Sequence, residues 1–239
     1  MNRSAYCIWI VSPEGLVWSH VFDEVALALQ SAFRDLGYDA PVVTEPRDIC
    51  GTPVVLGANL CPMYGIGVPA GAIIYNLEQV HAGSRWFQPD FGYVALLRQH
   101  MVWDFSQANI AALQRLGVEP VVYCPIGYAD VLTRIPPAKQ DVDVLFIGGG
   151  HPRRKVVLDG IAQRGARLKT LYKVFGSERD GWIGRGKIHL NMHKEPAELF
   201  EIVRVSYLLA NRCFVVSEEG NDKALEAPLA AGLVFAPYD

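Results

Sequence analysis

The hydrophobic positions of this chain fall into short, near-continuous runs separated by longer amphipathic stretches. Val142, Val144, Leu145, Phe146 and Ile147 make the clearest run. An apolar run of this length without strict alternation marks a strand buried on both faces, the habit of a parallel sheet. Similar runs predict strands at 5–12, 41–44, 54–56, 73–76, 101–104 and 121–124, and later at 168–172, 187–191, 214–216 and 233–236. Helical spacing fills the intervals. From His20 to Leu36, the residues Phe22, Val25, Leu29, Phe33 and Leu36 share one stripe and Gly37 stops the helix. Further helices are predicted at 91–98, at 107–116 behind a Ser106 cap, and at 155–164 before Gly165. Another runs from a Ser177/Asp180 capping box to Gly184, and a strong one spans 198–210.

Strands alternating with helices predict parallel sheets with helices on both faces. The stretch Ala129–Gln140, with Pro136-Pro137, reads as a linker between two such alternations. The expectation is an α/β protein of two Rossmann-like, doubly wound domains, 1–135 and 136–239, with a ligand cleft between them outside the carboxyl ends of the strands. No helix follows the last strand, so the second domain is expected to lack its final helix.

Composition narrows the class. Hydrophobic residues are 51% and charged residues 20%, ordinary for a soluble globular protein. The net charge of −3 gives no general affinity for nucleic acid. The five cysteines are odd in number and none are spaced as a CxxC pair, which points to reduced thiols and a cytoplasmic setting. The N-terminus reads as a first strand rather than a signal peptide, and no apolar run is long enough for a transmembrane segment.

The candidate chemistry gathers after the strands. Gly148, Gly149 and Gly150 follow the 142–147 run, Pro152 suits a first helical turn, and Arg153, Arg154 and Lys155 lie in that turn. A glycine turn, a helix N-terminus and three cations form an anion site. The alternative is a plain βα turn with solvated basic residues. Both arginines are expected at the surface, free of core contacts. Asn191, His193 and Glu195 follow another strand, and Glu218, Glu219 and Asn221 a third, where a carboxylate can grip ribose hydroxyls. His189 and His193 have no clear third partner for a metal, and a structural hydrogen bond is the alternative for His189. In the first domain Glu14, His20 and Glu78 are candidates for a general base, and Asp104 either joins them or holds the turn after its strand. Asn76, Glu78 and Gln79 form a polar patch expected to face the cleft. The absence of GxGxxG after the first strand disfavours a dinucleotide oxidoreductase.

The segments DVLFIGG, RRK, ERD, KIHLNMHKEP and ELFEIVRVSYLLANRCFVVSEEG, with YNLEQ, VWDFSQANI and PIGY earlier, resemble the GT-B glycosyltransferases. The closer likeness is to the CgeB-like, family-1-type bacterial transferases. That resemblance implies a metal-independent enzyme without cofactor, using a nucleotide-sugar donor and a hydroxyl-bearing acceptor: a glycan, a protein or a small molecule. It assigns Gly148, Gly149, Arg153, Arg154, Lys155, Asn191, His193, Glu195, Glu218, Glu219 and Asn221 to the donor, and His20, Glu14 or Glu78 to catalysis. Arg212 stands where the family commonly has glycine. Glu218 and Glu226 have the spacing of the superfamily's glutamate pair, but follow the LANRCFVVSE segment rather than precede it. The alternative function is a non-catalytic sugar-nucleotide-binding or assembly module of the same fold.

Overall fold

β1 (Tyr6–Ile10) shuts four of its five residues away from solvent, as its apolar run requires. In this computed structural model, which describes residues 5–194 and 197–238, β1 lies parallel to β2 (Val42–Val43) on one side and β3 (Thr52–Leu56) on the other. Glu195 falls outside the described residues. β4 (Ile73–Asn76), β5 (Met101–Asp104) and β6 (Val121–Tyr123) complete a six-stranded parallel sheet, ordered β2-β1-β3-β4-β5-β6. Register sets Trp9 beside Val55, Val55 beside Ile74 and Ile74 beside Val102. That row crosses four strands at no more than 1% exposure and anchors the core. Each such side chain stabilises the fold by roughly 1.5–3 kcal/mol. α1 (Asp23–Asp35), α2 (Cys61–Tyr64), α3 (Tyr93–Leu97) and α4 (Gln107–Arg115) connect the strands. Ser106 caps α4 as expected, its hydroxyl accepting from Asn109 N.

The second sheet is built from β7 (Val142–Ile147), β8 (Leu168–Leu171), β9 (Gly186–Asn191), β10 (Val215–Glu218) and β11 (Val234–Ala236). It is also parallel, ordered β11-β10-β9-β7-β8. α5 (Pro152–Gln163), α6 (Gly176–Arg185), α7 (Ile202–Ala210) and α8 (Lys223–Glu226) link its strands. The chain divides into two units, Met1–Ala129 and Asp130–Asp239, each with its own sheet. No helix among the described residues is long and apolar enough to cross a membrane.

Three local expectations are corrected. The first helix begins at Asp23, behind a 3-10 segment Val17–Phe22 that contains His20. Ser177 does not cap α6, whose N-cap is Phe175; Asp180 instead accepts from Arg179 and from the Tyr207 hydroxyl at 2.8 Å. The helix read from 198 begins at Ile202, because Glu198 takes a left-handed conformation at φ 49° that no helix accommodates. The Pro-rich stretch read as a linker begins where the two units divide, and it is hydrogen-bonded to the second. Asn211 accepts from Arg134 N and Ile135 N at 2.9 Å each and donates to Leu132 O at 2.9 Å, tying the segment to the end of α7.

Candidate functional site

In the second sheet β8 and β9 lie on opposite sides of β7, so the winding reverses between β7 and β9. Such a switch point opens a crevice at the carboxyl ends of the strands. Three segments meet there: Gly148–Gly150 leaving β7, Met192 and His193 leaving β9, and Glu218 ending β10.

Arg153, in the first turn of α5, binds the Glu218 carboxylate with both terminal nitrogens; Nη1 donates to Oε2 at 2.5 Å and Nη2 to Oε1. The same guanidinium lies 3.7 Å above the Tyr238 ring and 3.7 Å from a Glu198 oxygen. Glu218 accepts a third bond, from His193 N at 3.0 Å. Burial pushes the Glu218 carboxyl up, but donation from Arg153 and His193 N outweighs it and holds the group below its ordinary value.

Arg154 corrects the expectation that both arginines sit at the surface. It is 3% exposed. Its Nη2 and Nε donate to Met192 O at 2.6 and 3.2 Å, and its Nη1 to Gly149 O at 3.1 Å. It therefore bolts the glycine turn to the end of β9, with Glu201 3.6 Å away. Glu201 is the residue that sequence reasoning missed. It precedes α7 and also accepts from Asn191 Nδ2 at 3.0 Å, while one of its oxygens lies 3.1 Å from His193 Nδ1. Its position just ahead of α7 becomes legible only once the start of that helix is known.

His193 is 1% exposed and its Nε2 abuts Gly220, where an added Cβ would approach to 3.0 Å. Burial disfavours its charged form, yet Glu201, Glu218 and Glu198 together raise its pKa. Asn191 is fully buried, accepting from Arg204 at 2.9 Å and donating to Ser217 Oγ at 3.0 Å. Gly220 admits no side chain, because a Cβ would come within 2.3 Å of Glu198 O. Asn221 N donates to that same carbonyl at 2.9 Å. Glu219 and Lys155 point outward, paired with Lys223 and Asp159. Gly148, Gly150 and Lys155 line an open groove of about 810 Å³ beside this network. Glu226 accepts from Gly220 N and Lys223, so it supports the loop rather than pairing functionally with Glu218. His189, 2% exposed, lies 3.0 Å from Ile183 O through Nε2, the structural bond anticipated for it. Among the described residues no three His, Cys, Asp or Glu side chains group to hold a metal ion.

In the first unit the candidate bases separate. Glu14 is exposed, and His20, with its side chain 56% exposed, pairs with Asp23 at 3.0 Å. Glu78 faces a pocket, its Oε1 accepting from Asn59 at 3.0 Å. Asp104 is fully buried and holds the following turn through Ser106 N at 2.9 Å. Burial drives its carboxyl up to about 7, against the lowering donation of Asn76, Ser106 and Asn109. Asn76 was expected to face a cleft but is wholly buried, bonding Asp104 at 2.6 Å and Glu78 O at 3.0 Å.

A solved glycosyltransferase shares this architecture. The crystal structure of AviGT4, a glycosyltransferase involved in avilamycin A biosynthesis, aligns with 98% of this chain and 85% of its own at a TM-score of 0.54. Sequence identity is 14%, so the likeness concerns the fold. No family model and no curated protein sequence matches the chain.

Proposed function

We propose that this protein is a cytoplasmic, GT-B-type glycosyltransferase that moves a sugar from a nucleotide-activated donor to an acceptor hydroxyl, without a metal. The observation that carries the reading is Arg153, placed in the first turn of α5 at the switch point and held by Glu218. A donor diphosphate at the glycine turn takes up the outer edge of this guanidinium, and the helix dipole adds to the attraction. The acceptor oxygen then bonds the anomeric carbon as the bond from that carbon to the diphosphate breaks. Arg153 stabilises the departing charge. The acceptor proton passes to a carboxylate base, and among the candidate bases Glu78 is the one that faces a pocket. The chain's likeness in fold to a glycosyltransferase and its CgeB-like segments support the same reading.

A second reading, a sugar-nucleotide-binding module without turnover, is favoured by one feature: Arg153 is already charge-paired with Glu218. Calorimetric titration with a panel of sugar nucleotides, followed by assay of released nucleoside diphosphate, separates the two. We expect binding of at least one donor, weakened about tenfold or more in Arg153→Ala, since a charge-assisted bond contributes roughly 1.5–3 kcal/mol. Bare nucleoside affinity should stay unchanged. Binding without turnover selects the module, and no binding across the panel removes both readings.

A further inference from the structure

The chain carries five cysteines, and two of them meet. Cys7, the second residue of β1, is wholly buried and pairs in register with Pro53 of β3. Cys50 lies on the segment leading into β3 and is half-buried. Gly51, at φ 60°, turns the chain between Cys50 and that strand. Cys50 N donates to Cys7 Sγ at 3.4 Å, and the two side chains are hydrogen-bonded to each other. The same segment is held to β1 one pleat further on, where Trp9 Nε1 donates to Thr44 O at 3.3 Å. Ile49 packs against the core cluster that includes Trp9.

The other thiols are placed differently. Burial alone pushes Cys61 and Cys213 up, to about 12 and about 11, and Cys124 lies against Tyr75. Among the described residues Cys7 is the thiol that meets another cysteine, Cys50. A disulfide needs its sulfurs to approach to about 2.05 Å with little backbone movement. A sulfur already bonded to its partner's N–H and thiol meets that demand by side-chain rotation. The two exposures are unequal. Cys50 is open to a reagent from solvent, whereas Cys7, at 0% exposure, is reached through Cys50.

We propose that Cys7 and Cys50 form a reversible disulfide by exchange with a small-molecule disulfide, Cys50 attacking first and Cys7 resolving. The Cys50 thiolate attacks one sulfur of oxidised glutathione, forms a mixed disulfide and releases one glutathione thiolate. Cys7, on losing its proton, attacks Cys50 Sγ and expels the second. The two protons end on the two released thiolates; the protein loses two electrons and the glutathione disulfide gains them. The bond fastens the segment from Thr44 to Cys50 onto β1. It lies outside the donor-side network, so the proposal does not rest on the glycosyltransferase reading.

The test incubates the native full chain with oxidised glutathione, quenches it in acid and counts thiols after denaturation. The count should fall by two from its reduced value of five, and dithiothreitol should restore it. Peptide mapping should join the Cys7 and Cys50 peptides. Cys50→Ser should lose no thiol, because Cys7 is then out of reach. Cys7→Ala should stop at a mixed disulfide on Cys50, heavier by one glutathione. If Cys7→Ala does not fold, the half-buried Cys50→Ser carries the comparison. The proposal is overturned if the native chain keeps all its thiols, if the lost pair maps to other cysteines, if the unaltered chain stops at the mixed disulfide, or if Cys50→Ser loses the same number.

Discussion

The two units wind similar parallel sheets and finish their carboxyl edges in opposite ways. In the first, amides surround one buried carboxylate: Asn76, Asn109 and Ser106 all donate to Asp104, and the exposed surface beyond is aromatic. In the second, full charges interlock: Arg153 with Glu218, and Arg154 and His193 with Glu201. The cores differ too. The first sheet backs onto a continuous apolar cluster, whereas α5 of the second buries Arg154 as its one fully buried residue. An edge fixed by amides leaves an apolar pocket open beside it. An edge fixed by ion pairs keeps guanidinium and helix N-terminus together where an anionic ligand can compete for them.

The largest effect should come from breaking the second network at its buried bolt. Arg154→Ala strands the Met192 and Gly149 carbonyls and removes a cation near Glu201. It should cost about 3–5 kcal/mol, read as a lowered urea midpoint. A near-neutral result would mean that the carbonyls find other partners and that the second edge is not held by this charge.

The next test sharpens the difference through pH. Asp104 has a folded pKa of about 7 against an ordinary 3.8, so between those values the folded state holds a proton that the unfolded state has released. Its contribution therefore favours folding at low pH and is lost as pH rises through about 7. The corresponding loss from about pH 5 to about pH 7 is about 2 kcal/mol. Asp104→Asn should remove this component, measured as the difference between the two proteins' stability–pH curves. Parallel curves would place Asp104 at an unshifted pKa. His193 in the second unit, also raised, contributes stability that is complete below about 6.5 and fades above it, so the variant should retain that later slope.

The smallest effect concerns the turn after α7, next to the Asn211 that the Pro-rich stretch bonds. Arg212 sits at φ 58°, just past α7. Arg212 N donates to Leu209 O and Cys213 N to Leu208 O at 3.0 Å each, the paired bonds of a Schellman ending. Glycine tolerates that left-handed conformation without the Cβ penalty. Arg212→Gly should raise stability by about 1 kcal/mol in thermal or urea unfolding. A loss would show that the arginine side chain stabilises the turn by more than its backbone strain costs.

The amino-acid sequence by itself determined the alternation of buried strands and helices. The runs at Ile73–Asn76, Met101–Asp104 and Val142–Ile147 become strands with those same ends, because a parallel strand buried on both faces reads as a near-continuous apolar run. It also determined the glycine turn leading into α5 and the Ser106 cap, both local in cause. Helix starts at 20 and 198 were illegible, since a stripe of apolar residues marks neither the 3-10 turn before α1 nor the left-handed Glu198. Only the tertiary structure decided which of two adjacent arginines is buried. Arg153 meets a carboxylate 65 positions away and Arg154 a carbonyl 38 positions away. Those partners depend on β9 and β10 lying beside β7 in the sheet order, and neighbouring residues on one helix turn point in different directions.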